Sequence, residues 1–399
     1  MKRMLFLLVL IPQVIFGQKK FIAEEIKPLV DFIEQTNASP VDYVMELFEM
    51  YDVVLLGERA HTDMTQYDLI QQIISDPRFI AKVGHVFTEI GVYNMTDELN
   101  TVLKGTFPHD TIFDMELVRV IYNMDFYAVW DKTNYTKLMK DVYLINKDLP
   151  VNQKVSVTPT GIPFSWREAK TMTGEEFEAT VGKMWEHKDL IMGNNAINEL
   201  YKIFNGSDMR KKALIIYNMP HSCRYFENYD GDPFFAYQII ADRFSGRVAN
   251  VMLNWARMSE ENNNTFLSND GKLDAAFAAC AHKSIGFDLA GSPFGEYFYD
   301  IGITFSINNV KMKDVYHGFI YYIPVYEWVG RLGVPNLDKI VSKDELVRRH
   351  LVFANISTDE WEKYIDNSYW YHTTVRDHAI SNIDKTLFYK LISQYFKFD

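Results

Sequence analysis

The sequence predicts an α/β protein: a largely parallel central sheet flanked by helices, with a helical insertion capping the C-terminal edge of the strands. Three observations predict it. Near-continuous, β-branched apolar runs recur along the chain, as a sheet covered on both faces requires. Helical patterns separate those runs, the alternation that builds parallel sheet. The 399 residues, 48% hydrophobic and 24% charged, have an ordinary globular balance and enough chain for one large domain.

Taken in order, Lys2 and Arg3, the apolar run Met4–Ile11 and Gly17 before Gln18 have the layout of an export signal. Residues 1–17 are therefore expected to be removed, and the protein to be periplasmic or secreted from a bacterium. That run is too short to span a bilayer comfortably, and no later segment is long and apolar enough, so no integral membrane segment is expected after signal removal. Residues 18–399 are then expected to form a single domain. Asp52–Gly57, His85–Ile90, Lys154–Thr158, Ala213–Tyr217, Val248–Leu253 and Gly318–Ile323 read as buried strands. Asp63–Ser75 reads as a helix, with Met64, Tyr67, Ile70, Ile73 and Ile74 on one stripe and Thr62 or Asp63 as N-cap. The stretch from about 94 to 147 breaks the rhythm; it reads as consecutive helices inserted between strands, where such segments often cover a site. Glu175–Phe204 reads as one long helix or two, ending at Asn205-Gly206.

Composition removes several function classes. A net charge of −12 without a basic run makes nucleic acid an unsuitable partner. Two cysteines, Cys223 and Cys280, exclude a disulfide framework and any multi-cysteine metal centre; a single bridge or two thiols both fit. The chain has no G-x-S-x-G elbow, phosphate loop, dinucleotide glycine motif or H-E-x-x-H. Asp230-Gly231-Asp232 lacks the rest of a calcium loop and reads as a turn.

The chemistry gathers at three strand ends. In Leu55-Leu56-Gly57-Glu58-Arg59-Ala60-His61, a carboxylate and an imidazole follow a buried strand and precede a capped helix. Ligands of open α/β sheets bind beyond the carboxyl ends of the strands, where these residues sit. Glu89 interrupts the apolar run of the second strand, and a buried carboxylate needs a partner or a function. Asn218 and His221 follow the fourth strand much as His61 follows the first. Glu58, His61, Glu89, Asn218 and His221 are thus expected at one edge of one sheet. His282 and His317 are further site candidates; His350 and His372 lie in polar stretches that read as solvated.

These motifs resemble the erythromycin esterase-like superfamily, which is similar to the ChaN-like haem-binding lipoproteins and the TIKI/TraB metalloproteases. The resemblance spans about 51–221, with a weaker echo in Tyr316–Glu327. It places the family's Gly-Glu-x-x-His on Gly57, Glu58 and His61, its second acidic position on Glu89, and its later Asn/His motif on Asn218 and His221. It implies an exported hydrolase in which His61 activates water against an ester, lactone or amide of a small-molecule or peptide substrate. A divalent metal, zinc or manganese, held by Glu58, His61, Glu89 and His221 is the related expectation. The alternative is a non-catalytic, ChaN-like ligand-binding protein that takes haem. Gly161-Ile162-Pro163 and His317 before Gly318 depart from the family's pattern.

Overall fold

The computed structural model describes residues 20–124, 133–224, 235–258, 265–300, 310–355 and 372–398. The export signal and the Asp230-Gly231-Asp232 turn lie outside them. Among the described residues no helix is long and apolar enough to cross a membrane.

Seven strands form the central sheet: β1 (Val53–Glu58), β2 (His85–Val92), β3 (Ser156–Gly161), β4 (Ala213–Asn218), β5 (Val248–Leu253), β6 (Ile285–Asp288) and β7 (Gly318–Tyr321), in the spatial order β3-β2-β4-β1-β5-β7-β6. Every pairing is parallel except that of β6 with β7. The chain starts at the centre with β1, builds outwards to β2 and β3, returns to insert β4 beside β1, and completes the other side. Such a reversal opens a crevice at the strand ends. The six strands expected from the sequence are all present. The short antiparallel β6 was not among them.

The apolar runs are continuous because both faces are covered. Val54 and Leu56 join the cluster containing Tyr67, Ile70 and Ile73. Val53 and Leu55, on the opposite face, join Met192, Ala196, Leu200 and Tyr237. The first cover includes α1 (Pro40–Met50) and α2 (Met64–Ser75); Asp63 is the α2 N-cap and accepts from the Thr65 and Gln66 N–H groups. Residues 96–147 supply α3 (Thr96–Lys104), α4 (Asp110–Met124) and α5 (Thr133–Lys147). Of the two readings of Glu175–Phe204 the second holds: a helical stretch over 174–185 with a π-helical turn at Glu178–Gly182, then, after His187, α6 (Lys188–Asn205), which runs to Gly206 at its C-cap. With α7 (Ala236–Arg243), α6 forms the second cover. A further cluster packs α8 (Lys272–Ala279) against β6 and β7.

Two details of the sheet matter below. Between β2 and β3 the register jumps from Thr88↔Pro159 to Val92↔Gly161, so β2 carries two extra residues just where Glu89 stands. A bulge of this kind re-aims side chains, and Gly91 turns it with φ +95°. At the outer rim of β3 three asparagine side chains take the place of a neighbouring strand. Asn146 and Asn100 each bond both the N–H and the C=O of Val155 and Val157 respectively, and Asn195 donates to Thr160 and Gly161.

The cysteines are not bridged: Cys223 is buried and Cys280 half-buried, both as thiols. His350 and His372 are buried, not solvated, with ring centroids 5.1 Å apart. The polar stretches around them hide that packing.

Candidate active site

β1 and β4 are in register through Glu58↔Asn218, which fixes two of the expected residues side by side at the strand ends. The turn after Glu58 is tied by Gln66 of α2, whose amide accepts from Arg59 N–H (2.6 Å) and donates to Ala60 C=O (2.9 Å). Arg59 points away, buried against Asp63 (2.7 Å) and over the Trp328 ring at 4.2 Å. His61 is left at the strand ends with its side chain 21% exposed, while that of Glu58 is 1% exposed.

The side chains form one chain of alternating acids and imidazoles. Glu58 Oε1 accepts from Tyr67 Oη (2.9 Å) and more loosely from Gln66 and Asn134 Nδ2 (3.4 Å each). Its Oε2 lies 3.1 Å from His61 Nδ1. His61 Nε2 faces Glu89 Oε1 at 3.8 Å, and His221 Nε2 approaches the same oxygen at 3.4 Å. His221 Nδ1 ends the chain on Asp189, 2.9 and 3.0 Å from its two oxygens. Glu89 Oε2 accepts from the Asn218 backbone N–H at 2.7 Å.

Electrostatics follow from this order. Burial pushes the Glu89 carboxyl up, but His221, His61, Lys188 and the Asn218 N–H outweigh it and hold the group at about 2. Burial disfavours the His221 cation, yet Asp189 and Glu89 on either side raise its pKa above the usual 6.5. Glu89 is therefore an anion at neutral pH, and His221 between two carboxylates favours the imidazolium.

All five expected residues reach one edge of the sheet, but with different jobs. The Asn218 side-chain amide donates to Arg59 C=O and so ties the end of β4 to the turn after β1. His317 lies elsewhere, bonded to Asn250 and Arg224. His282 stands among Tyr321, Tyr326 and Tyr389. Sequence reasoning missed Asp189, Tyr67, Gln66 and Asn134. Asp189 had a signal: it shares the buried stripe of α6 with Met192, Gly193, Ala196 and Leu200, where an acid requires a partner. For Asn134, at the start of α5, the sequence carries no such mark.

Among the described residues no group of three or more His, Cys, Asp or Glu side chains is placed to hold a metal ion. Glu58, His61, Glu89 and His221 bond to one another and to Tyr67 and Asn218, and Glu58 Oε1 accepts from up to three donors.

No family model matches the chain, and no curated protein matches it. Solved structures to which the chain is similar include a succinoglycan biosynthesis protein, 9% identical over 75% of this chain and 98% of that one with a TM-score of 0.49. A mutant of the erythromycin esterase EreC in its open conformation is 10% identical over 71% of this chain and 96% of that one, with a TM-score of 0.46. ChaN of Campylobacter jejuni, solved with cofacial haem, is 14% identical over 53% and 85%, with a TM-score of 0.31.

Proposed function

We propose that the chain is a hydrolase in which His61 is the general base toward water attacking an ester, lactone or amide carbonyl. The observation that carries this reading is the acid–imidazole chain itself, with His61 as its solvent-facing member. Glu58 at Nδ1 selects the tautomer that places the lone pair on Nε2, the nitrogen that faces Glu89. Water loses its proton to Nε2 as its oxygen bonds to the carbonyl carbon. The imidazolium that forms lies between two carboxylates, Glu58 and Glu89, and is stabilised by both. The same proton then passes to the departing alkoxide or amine as the carbonyl reforms. His221, held by Asp189, fixes the Glu89 carboxylate and keeps it ionised. No step requires a metal ion.

The test is turnover of p-nitrophenyl acetate, a lactone series and a peptide library by the parent and His61→Ala, with divalent metal per chain measured in both. The expected result is turnover in the parent that falls about 10²–10⁴-fold in the variant, without bound metal. Near-stoichiometric metal lost in the variant replaces this mechanism with a metal-assisted one. Absence of turnover on all three classes, with haem binding indifferent to His61→Ala, replaces it with the ligand-binding alternative.

A further inference from the structure

Beside the acid–imidazole chain, the ends of β5 and β7 and the start of α8 enclose a separate cavity of about 20 Å³, room for one water-sized group. Asn254, Trp255, Ser268, Asp274, Phe277 and Tyr321 are among its walls. Asp274 is 7% exposed. Its own backbone N–H is the donor that reaches it, and among the described residues no side chain does. The neighbouring polar atoms are committed. Asn254 Oδ1 accepts from Arg59 and the Tyr322 N–H (3.3 Å each), its amide donates to Ile323 C=O (2.8 Å), and Ser268 Oγ donates to Trp255 C=O (3.3 Å). A visitor thus meets one uncommitted carboxyl and aromatic walls.

That combination selects a class of ligand. A buried carboxylate is costly without a cation, and here burial pushes the Asp274 carboxyl up to about 7. A hard metal ion asks for six or more oxygens, which the committed amides do not offer. An ammonium group asks for one carboxylate and gains from aromatic surroundings. We propose that this cavity binds a primary ammonium group, held by Asp274 within the wall of Trp255, Phe277 and Tyr321. The remainder of the amine has a place to go. Asp300 lines both this cavity and a second groove of about 550 Å³, whose lining includes Phe266, Leu387 and Leu391 and the charged Arg257 and Asp270. The site is independent of the hydrolytic reading.

The test is thermal unfolding of the full chain at pH 8 with ethylammonium chloride, against potassium chloride at matched ionic strength and ethanol at matched concentration. Ethylammonium alone is expected to raise the midpoint by about 2 °C at ten times its Kd, and Asp274→Asn to abolish that rise. The variant has a second readout that shows it folded. A carboxyl with a raised pKa costs stability only as pH climbs from 3.8 through about 7. Asp274→Asn should therefore melt above the parent at pH 8 and no higher at pH 4. Tyr299, Asp300 and Tyr321 are the other titratable groups lining the cavity, and Lys272 at the start of α8 pairs with Glu25; all are unchanged in the variant. An equal rise with ethanol or potassium, an amine effect that survives Asp274→Asn, or no effect in the parent overturns the assignment.

Discussion

Glu89 sits where two imidazoles converge, and its ionisation is coupled to the fold as well as to the chemistry. Its carboxyl is held at about 2, below the ordinary 4.5, so it stabilises the folded chain above about pH 4.5 and loses that effect as pH falls towards 2. His221 is shifted the other way, so it stabilises below about pH 6.5 and loses that effect as pH rises through its raised value. The pair is therefore strongest between the two. Thermal melts of Glu89→Gln and His221→Asn across pH 2–9 should show the largest deficit against the parent in that window. The Glu89→Gln deficit should shrink on the acid side and the His221→Asn deficit on the alkaline side; a deficit independent of pH contradicts the charge-based account. At this scale the sequence was most legible where a polar residue interrupts a buried strand, as Glu89 does, or stands at or just beyond its end, as Glu58 and His221 do. Asp189 comes from a helix 32 positions away from its partner, a distance that only the folded chain closes.

At the scale of an element, the aim of Glu89 depends on the two extra residues in β2, and those depend on Gly91. A side chain at Gly91 would stand 2.7 Å from Tyr135 Oη, 2.9 Å from Pro159 Cβ and 3.2 Å from Met124 Sδ. Tyr135 and Met124 belong to α5 and α4, so the bulge is where the inserted helices bear on the sheet. Gly246 provides the control, since it also has positive φ (+74°) but open space around it. Gly91→Ala should cost about 1–3 kcal/mol in strain and overlap and lower kcat with it. Gly246→Ala should cost about 1 kcal/mol and leave kcat alone. Chemical denaturation and steady-state kinetics on the two variants separate the effects. Nothing in the pattern of HVFTEIGV announces a bulge, because the register slip belongs to the pairing with β3 and not to either strand. β6 was illegible for a related reason. Its four residues, Ile285–Asp288, are too short for a periodic signal, and their pairing with β7 joins segments some thirty positions apart.

For the whole molecule, long strands covered on both faces were legible because burial imposes an unbroken apolar run, and the strand order was not, because it records which ends meet in space. That order leaves β3 as one outer strand, and its rim is met by Asn100, Asn146 and Asn195 from three different helices. A primary amide offers one donor and one acceptor at the spacing of a peptide group, so each of Val155 and Val157 is paired as if a further strand were present. Replacing Asn100 and Asn146 by Leu should leave two backbone N–H groups unpaired, cost about 1–3 kcal/mol at each position, and raise thioflavin-positive aggregation in shaken samples; unchanged solubility would show the amides to be dispensable. In the parent, the sheet ends in borrowed peptide groups. Another copy approaching that side finds no vacant ladder to extend, so this edge is closed as a template for growth of the sheet.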